Sequence, residues 1–344
     1  MDISVDESKK LVSEHEEVEK NSLKAYLKTY KEKETSRNKD HRAHDRGCLN
    51  EKWEKEDLKD KSVLVIGENG PGDEILTLAC LSEFKINCGR VQWLCKNDKL
   101  KKLFQRSFPD VDFLSTSDLK APVDGSVYSW ELIDRFRSTL DSFRWTTSAG
   151  KFEPYLKEGS YYEGLRARYG SGQPPLVGLA WRSASHVQGK TCDLRDVAGW
   201  SNFFERLRDR ARFISLQYGD TQDEIAFSRS KYGVDIYQDQ CIDTYDDLDG
   251  VAAQIVALDY VVSIGTTVAH LAGALGRTGW VLLNKEPFPH WVAGNHVILW
   301  YPTLRPARQT SSGDWGSVLK QVADQLATKM SQVPRARKIT RQIE

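Results

Sequence analysis

Short apolar runs alternate with segments of helical periodicity along most of the chain from Lys61 onward. The first series contains the apolar runs SVLVIG, GRVQWLC and VDFLS, separated by the amphipathic segments ILTLACLSEF and KLKKLFQRSF. A continuous β-branched run without polar alternation is typical of a strand buried on both faces. Strands that alternate with helices predict a parallel sheet covered by helices.

A second series of the same kind begins at Leu176, after a weaker stretch. In that stretch VYSWELIDRFRSTLDSF is predicted to be helical, and EGSYYEGLRARY is a helix that ends at the linker-like GSGQPP. The predicted strands of the second series are LVGLAW, RFISLQY, VDIYQ, YVVSIG and WVLLN; its predicted helices are GWSNFFERLRDR, DDLDGVAAQIVALD, VAHLAGALG and DWGSVLKQVADQLATKM. We therefore expect an α/β fold of two doubly wound, Rossmann-like domains facing a cleft. Ligands of such sheets bind beyond the carboxyl ends of the strands.

The pattern divides the chain into four parts. Residues 61–172 form an N-terminal Rossmann-like domain and residues 173–330 a C-terminal one, and residues 331–344 form a basic tail. Residues 1–60 are rich in charge and poor in aromatic and β-branched residues. Such a segment buries too little apolar surface to offset the entropy of ordering, so it is a helical or a disordered extension.

Composition narrows the classes of partner. The 344 residues carry 49 Lys and Arg against 49 Asp and Glu, which gives no reason to expect nucleic acid or an anionic membrane as partner. The six cysteines form no CxxC pair, and several lie in apolar runs, as expected of buried free thiols in a reducing compartment. No apolar run approaches the ~20 residues of a transmembrane segment. We expect a cytoplasmic protein.

The first candidate motif is GENGPGDE, which follows the first predicted strand. Its three glycines permit a tight turn and a close approach of the backbone, but their spacing is neither a dinucleotide fingerprint nor a P-loop. Asp73 is suited to capping the next helix, and a carboxylate at a strand end can also take a proton from a sugar hydroxyl. Both functions are compatible. Glu68, just past the strand, is a second candidate.

Two further strand ends carry polar side chains. Arg182 directly follows LVGLAW, and a cation there could offset the charge of a diphosphate. For His186, Lys190 and Arg195, in the loop that follows, an ordinary surface function is favoured. At the end of RFISLQY, Gln217 and Tyr218 could hydrogen-bond and stack on a base.

The last motif, SIGTTVAHLAGALG, passes from a buried strand into an apolar helix. Gly265 permits an unusual turn, after which the amides and hydroxyls of Thr266 and Thr267 gather at the helix N-terminus. Free N–H groups and the helix dipole make that point suited to an anion. His270, one turn further, either faces a bound phosphate or is a satisfied core histidine.

Two weaker features have structural explanations. The Asp-Leu-Asp of DTYDDLDG resembles a metal-binding pattern of some sugar-transfer enzymes, but it opens a helix, where acidic residues favour the dipole. We interpret it as capping. Trp300 and Tyr301 follow a late predicted strand and either pack a domain junction or line the cleft.

Several of these segments together resemble one family. WEKEDLKDKSVLVIGENGPGDEI, VGLAWRS, RFISLQYGD, ALDYVVSIGTTVAHLAGALGRTGWVLL and WYPTLRPARQTSSGDW occur in this order in the glycosyltransferase domain of bacterial tetratricopeptide-repeat proteins. Those domains are similar to the ADP-heptose lipopolysaccharide heptosyltransferases and, more distantly, to O-linked N-acetylglucosamine transferases. The resemblance covers roughly Trp53 to Leu326, and residues 1–52 show no tetratricopeptide pattern.

The resemblance implies a GT-B fold, with the acceptor on the N-terminal domain, a nucleotide-sugar on the C-terminal domain, and no cofactor or essential metal. It gives Asp73, the aspartate of a Gly-Asp pair, the place of the catalytic base, and Gly72 and Glu68 are expected among the substrate-binding residues. It gives Thr266, Thr267 and His270 the segment that holds the donor diphosphate. Arg182 and Gln217 fall on loops that meet the donor.

The chain departs from the family at two positions, with Gly265 where Asp is usual and Tyr218 where Lys is frequent. The function that the resemblance implies is a metal-independent, inverting glycosyltransferase acting on a glycan or protein hydroxyl. Because of the departures, two alternatives stay open: a non-catalytic module that binds a nucleotide-sugar or a protein, and a GT-B-fold sugar epimerase.

Overall fold

The computed structural model describes residues 58–118, 123–143, 153–159, 162–170, 174–183, 191–291 and 298–332. Nearly all of the predicted extension and tail, and the candidates His186 and Lys190, lie outside these residues. Within the described part of the chain, none of the helices is both long and apolar enough to cross a membrane.

The first apolar series forms a four-stranded, all-parallel sheet in the order β3-β2-β1-β4. Its strands are β1 (Leu58–Ile66), β2 (Cys88–Leu94), β3 (Asp112–Leu114) and β4 (Gly125–Tyr128). Its helices are α1 (Pro71–Leu78), α2 (Leu81–Lys85), α3 (Lys101–Ser107) and α4 (Glu131–Phe136), with 3₁₀ turns at Asp98–Leu100, Thr116–Asp118 and Leu140–Phe143. The central strand β1 is buried along its apolar run, which agrees with the sequence pattern.

The second series forms a six-stranded parallel sheet in the order β10-β9-β8-β5-β6-β7. Its strands are β5 (Leu176–Ala180), β6 (Arg212–Ser215), β7 (Ile236–Tyr237), β8 (Tyr260–Ile264), β9 (Gly279–Leu283) and β10 (Leu304–Arg308). The helices of this part are α5 (Tyr162–Tyr169), α6 (Val197–Leu207), α7 (Gln222–Tyr232), α8 (Leu248–Ala257), α9 (Thr267–Ala274) and α10 (Trp315–Gln332), with a 3₁₀ turn at Pro289–Trp291. Strands β5, β8 and β9 are buried throughout.

Several elements differ from the sequence prediction. The segment predicted as one helix over ILTLACLSEF forms the two helices α1 and α2, and the described residues 298–300 of the late predicted strand are not in a strand. Strand β4 begins the stretch predicted as one helix, because its valine and tyrosine pair with β1 before the chain turns into α4. Helix α7 was not predicted, since it has no apolar stripe and only Glu224, Ser228 and Tyr232 are buried on it. Strand β10 contains Pro306 and was not predicted either. It lies at the edge of its sheet, where a missing N–H is tolerated.

The two sheets are joined by packed helices and by charge pairs. Helix α1 packs on α9, and helix α5, which precedes the predicted boundary at 172/173, packs on α8 of the second sheet. The buried carboxylate of Asp249, in the first turn of α8, binds Arg106 and, at 3.0 Å, Lys102 of the first sheet's α3. The domain boundaries stay predictions, and the contacts show that the sheets are linked through their helices.

Candidate functional site

The turn after β1 and the turn after β8 lie against each other because α1 packs on α9. At Gly72 the space of a side chain is occupied by the ring of His270. A Cβ at residue 72 would lie 2.6 Å from Cδ2 and 3.1 Å from Nε2 of that ring, so the contact requires glycine. The structure thus brings Gly72 and His270, predicted on separate motifs, into direct contact.

The β1–α1 turn is closed by its own carboxylate. Gly70 is the N-cap of α1, and Asp73, at the third helical position, accepts a hydrogen bond from the Gly70 amide at 3.3 Å. The predicted N-cap is therefore wrong, because the helix begins at Pro71, ahead of Asp73, and Asp73 instead reaches back to the cap residue from inside the helix. Asp73 is half-buried, and it lies directly beside the residue that contacts His270. This position leaves its predicted second function, as a base, open.

Two glutamates beside Asp73 hold the turn in place. Glu68 accepts a hydrogen bond from the Trp130 amide at 3.2 Å and so ties the turn to the start of α4. Glu74 is fully buried and accepts from the amides of Lys96 and Asn97, both at 2.9 Å, and from the Asn97 side chain at 2.5 Å. Sequence reasoning missed Glu74, since nothing in the motif marks which of two adjacent acidic residues is buried.

Burial raises the pKa of the Glu74 carboxyl above its ordinary value, against the lowering effect of the hydrogen bonds from Asn97 and Lys96. The carboxylate occupies the space over Gly67, where a Cβ would lie 2.1 Å from Oε1. The lack of a side chain at Gly67 therefore leaves room for the Glu74 carboxylate, and Glu74 is a structural residue of the turn.

The β8–α9 turn has a different construction. Thr266 is the N-cap in an extended conformation, and its side chain makes no capping hydrogen bond to the helix. Its hydroxyl instead lies 3.4 Å from the hydroxyl of Ser263. The Thr266 amide donates to the Ile264 carbonyl at 2.7 Å, so it is not available to an anion as predicted, whereas the amides of Thr267 and Val268 make no hydrogen bond to another described residue. The first turn carries no acidic residue, so its dipole and free amides face a half-buried surface uncompensated.

Arg182 lies at the strand end next to this turn. Strand β5 pairs with β8 so that Ala180 is opposite Ser263, which places Arg182 level with Gly265. Glu224 holds the guanidinium through Nε, with both oxygens at 3.0 Å, and a second nitrogen donates to the Asp220 carbonyl at 2.5 Å. Arg182 is about a quarter exposed (24%), so the group is fixed and still faces solvent.

Gln217 serves the backbone of the two adjacent strand ends. It is completely buried, and its carbonyl oxygen accepts from the amides of Trp181 and Arg182, both at 2.9 Å. Its nitrogen donates to the carbonyls of Arg182 at 3.1 Å and Tyr218 at 3.3 Å. These bonds give Gln217 a positioning function, and the predicted contact with a nucleotide base stays a prediction. Tyr218 is half-buried, 6.1 Å from the ring of Tyr245.

An aromatic cluster also contacts His270. Nδ1 of His270 lies 2.8 Å from the hydroxyl of buried Tyr301. The ring centroids of Trp291 and His290 lie 4.4 and 5.2 Å from that of His270. Trp291 also fills the space beside Gly265, where a Cβ would lie 2.8 Å from its Nε1. Sequence reasoning missed Trp291 and His290, because PFPHW has no periodicity that marks it as part of a site.

The remaining candidates are structural. Trp300 packs edge-to-face on Phe143 at 4.9 Å, as expected of a junction residue. Asp247 caps α8 by accepting from the Gly250 amide at 2.8 Å, so the capping interpretation of the Asp-Leu-Asp segment is confirmed. Arg195 pairs with Asp193 at the surface.

Cysteines and potential metal ligands are two further kinds of side chain that matter for the chemistry of the protein. The described cysteines are free; Cys80, Cys95 and Cys192 are buried, as expected, and Cys241 is exposed. The described residues contain no group of three or more His, Cys, Asp or Glu side chains arranged to hold a metal.

The geometry can be compared with known proteins. The fold is shared with a glycosyl transferase family 9 structure from Veillonella parvula DSM 2008, at a TM-score of 0.54 and 12% identity over 78% of this chain and 98% of that one. An E. coli ADP-heptose lps heptosyltransferase II is similar over 78% of this chain and 97% of its own, with 11% identity and a TM-score of 0.49, which is too low to support an argument. The class that the comparison defines is thus one of fold, a parallel α/β fold like that of the glycosyl transferase family 9 structure.

In sequence, the chain is similar to Protein FlbA of Caulobacter vibrioides, with 27% identity over 292 residues. The match covers 80% of this chain and 48% of FlbA, so the chain spans about half the length of that relative. No family model matches the chain.

Proposed function

We propose that the protein is a cytoplasmic, metal-independent, inverting glycosyltransferase that moves a sugar from a nucleotide-sugar to a hydroxyl of a glycan or protein. The contact between Gly72 and His270 carries this proposal, because it brings two strand-to-helix turns of opposite electrostatic character together. One turn supplies a carboxylate, and the other supplies uncompensated amides. A group transfer that deprotonates a hydroxyl and releases a diphosphate needs both.

The donor side consists of the β8–α9 turn and the residues level with it. The amides of Thr267 and Val268 and the hydroxyls of Thr266 and Thr267 would bind the diphosphate, and Arg182 would add a positive charge. Glu224 limits the motion of Arg182, so less side-chain entropy is lost when an anion binds. Gln217 would hold the two strand ends at this edge in register, with Tyr218 next to it. His270 would contact the donor where it meets the first turn.

The acceptor side consists of the β1–α1 turn. Asp73 would take the proton of the acceptor hydroxyl, whose oxygen forms a bond to the anomeric carbon of the donor. The bond from that carbon to the diphosphate oxygen breaks on the opposite face, with inversion, and the electron pair leaves with the nucleoside diphosphate. The amides of the β8–α9 turn would stabilise the growing negative charge, each by a few kcal/mol (about a hundredfold in rate). Glu68 would keep the turn in place.

The decisive experiment is incubation with a panel of nucleotide-sugars, in the presence and absence of EDTA, with NMR of the products. A glycosyltransferase releases nucleoside diphosphate slowly even without acceptor, and the released sugar initially has the inverted anomeric configuration. Activity that EDTA removes and a divalent cation restores would contradict metal independence. Retained configuration would contradict the direct displacement by an Asp73-activated hydroxyl.

A second candidate is a non-catalytic module that binds a nucleotide-sugar or a protein. The hydrogen bond from the Gly70 amide to Asp73 favours it, because that bond gives Asp73 a structural function without any chemistry. Saturable binding of a nucleotide-sugar without release of diphosphate would support the module. An isomerised donor formed in the absence of acceptor would identify an epimerase instead.

A further inference from the structure

A lysine from the helices of the first sheet holds the segment 243–249, which leads into α8 of the second sheet. Lys99 lies in the 3₁₀ turn that precedes α3. Its Nζ is 2.7 Å from the Asp246 carboxylate, donates to the Tyr245 carbonyl at 3.1 Å and lies 3.5 Å from the centroid of the Tyr245 ring. One side chain thus makes an ion pair, a hydrogen bond and a cation–π contact with two adjacent residues across the two sheets.

The segment 243–249 is also closed within itself and anchored at its far end. The Asp243 carboxylate accepts from the amides two and three residues further on, at 2.8 and 3.0 Å, which closes a turn. The buried carboxylate of Asp249 accepts from Nη1 of Arg106 at 3.3 Å and pairs with Lys102 at 3.0 Å. A turn closed in this way moves as one body, so a displacement at an anchor also displaces the residues inside the turn.

On its inner side the segment 243–249 holds a residue of the candidate site. The hydroxyl of Thr244, inside the turn that Lys99 holds, donates to the Gln217 carbonyl at 3.0 Å. The side-chain oxygen of Gln217 accepts from the amides of Trp181 and Arg182, both at 2.9 Å. The chemistry of each group fixes its donor and its acceptor, since a carbonyl only accepts. An unbroken series of contacts therefore leads from Lys99 to Arg182.

The two anchors of the segment differ in strength. Asp249 is buried, so removal of a cation beside it leaves a charge in the interior and strongly destabilises the protein. The side chains of Lys99 and Asp246 are 33% and 66% exposed, and such a pair contributes little to the stability of the whole protein. Substitution of Lys99 should therefore loosen the segment while the protein stays folded.

We propose that Lys99 is a positioning residue that acts from one sheet on the other. It holds the segment 243–249 against Gln217 and thereby fixes the strand end that carries Arg182 for a nucleoside diphosphate. Lys99 acts through the segment and not as a ligand of the phosphate, because its ammonium group is directed at Asp246 and Tyr245. The series of contacts is a property of the fold, whereas the diphosphate at Arg182 rests on the proposed function.

Hydrogen–deuterium exchange of the full chain, measured by mass spectrometry, tests the series of contacts without any ligand. Lys99→Met removes the charge and the donor but keeps the apolar length of the side chain, and Thr244→Val removes only the hydroxyl. In both variants the peptide that contains the amides of Trp181 and Arg182 should exchange about fivefold faster, the equivalent of one hydrogen bond.

Lys101→Met is the matched control for the exchange experiment. Lys101 lies two residues further on and makes an ion pair of 2.5 Å, but with Asp118, which belongs to the first sheet's part of the chain. Its substitution should change the exchange of the same peptide by less than about twofold. Unchanged exchange in folded Lys99→Met overturns the proposal, and so does equally fast exchange in Lys101→Met.

Titration with ADP, GDP, UDP and CDP tests the consequence for binding. Lys99→Met and Thr244→Val should each weaken the diphosphate that the wild type binds by about fivefold and leave kcat at saturating donor within about twofold. Lys99→Arg can make the same contacts and should restore the affinity. Since Thr244→Val changes no charge, a loss confined to Lys99→Met would show electrostatic attraction of the ligand and overturns the proposal.

The double variant of Lys99→Met and Thr244→Val completes the test. Both substitutions interrupt the same series of contacts, so the double variant should bind the diphosphate no more weakly than either single variant. Additive losses overturn the proposal. If the wild type binds no nucleoside diphosphate, the proposed function fails, and the exchange data still decide whether Lys99 positions the strand end.

Discussion

The turns after β1 and β8 have the same local plan, a buried parallel strand, a glycine and a helix, but opposite electrostatics. The first turn of α1 carries Asp73 and Glu74, and Asp73 satisfies the amide of its own N-cap. The first turn of α9 carries no acidic residue, and its cap side chain makes no hydrogen bond to the helix. One helix N-terminus is neutralised from within, whereas the other is left for an external anion.

The structure thus distinguishes two turns that look alike as sequence motifs. A carboxylate in the first turn stabilises a helix and at the same time repels a phosphate, so a helix that binds phosphate gives up that source of stability. The two turns can therefore be told apart by exchanging their charges. The following predictions do so, or disturb the contact between the turns.

The largest expected effect is that of Asp73→Asn. Asparagine still accepts a hydrogen bond from the Gly70 amide, so the helix should keep its cap and the protein its stability. Without a proton acceptor, the rate of transfer should fall by about a thousandfold, while donor affinity stays the same. Single-turnover kinetics and calorimetric titration of the donor measure the two quantities.

Asp247→Asn is the matched control, since Asp247 is also a capping carboxylate but lies at α8. It should leave the rate within about twofold. A rate for Asp73→Asn close to that of wild type would leave Asp73 only its capping function.

The next largest effect is expected when a negative charge is placed at the N-terminus of α9, as Asp73 and Glu74 place one in the first turn of α1. Thr266→Asp should stabilise the protein by about 0.5 kcal/mol through the helix dipole and the cap. The same charge should weaken nucleoside diphosphate binding by roughly tenfold to a hundredfold. Thermal unfolding and titration with diphosphate give the two values.

Thr266→Asn caps without charge and separates the two contributions. It should keep most of the gain in stability and lose less affinity. Equal losses of affinity in both variants would show that the cap position, and not its charge, matters for the anion.

A smaller effect is expected where the two turns touch. Gly72→Ala places a methyl group 2.6 Å from Cδ2 of His270 and forces the ring or the helix to move. We expect a loss of about 1–3 kcal/mol in the free energy of unfolding.

Gly164→Ala, in α5, is the control, since a Cβ there has nothing within 4 Å. It should stabilise the protein by about 0.5–1 kcal/mol, as alanine does in a helix. If Gly72→Ala behaved like Gly164→Ala in urea unfolding, α1 and α9 would not be packed as described.

The smallest effect is a difference in pH dependence between two buried carboxylates. Burial raises the pKa of Glu74, so its contribution to stability is full below the unfolded-state pKa and lost as pH rises through the folded-state pKa. For Asp249, burial acts to raise the pKa, but the bonds from Arg106 and Lys102 outweigh it and the pKa is lowered. Its contribution is present above the unfolded-state pKa and is lost as pH falls through the folded-state pKa.

Urea unfolding between about pH 3 and pH 7 tests whether the two carboxylates change the stability in opposite directions as the pH rises. The stability difference between wild type and Glu74→Gln should decrease as pH rises through this range. The difference between wild type and Asp249→Asn should increase. If both stability differences changed in the same direction with pH, the two pKa shifts would not have opposite signs. The result would then contradict a Glu74 pKa raised by burial and an Asp249 pKa lowered by its ion pairs.

The sequence was informative where one physical requirement dominates. Buried parallel strands need continuous apolar runs, so β5 and β8 could be predicted within one residue. The end of β1 was predicted as closely, but the strand begins at Leu58, ahead of its apolar run. It was uninformative where the requirement is set by distant neighbours. Helix α7 has a polar surface and few buried residues, and β10 carries a proline that only an edge position tolerates.

The site divides in the same way. The glycine, threonine and aspartate residues of the turns could be found because backbone geometry restricts them locally. Lys99, Tyr301 and Trp291 could not be assigned, since each acts through contact with a residue far away along the chain. Their importance follows from packing that no local pattern records.

The absence of a side chain at Gly72 has a consequence for how the protein can vary. Since the imidazole of residue 270 fills the volume that a methyl group would need, a side chain at position 72 fits without strain only beside a smaller residue at position 270. Related chains should therefore exchange the two residues together, a larger one at 72 with a smaller one at 270. Substitutions at the two positions should be strongly non-additive, although the positions lie in helices that follow strands of different sheets.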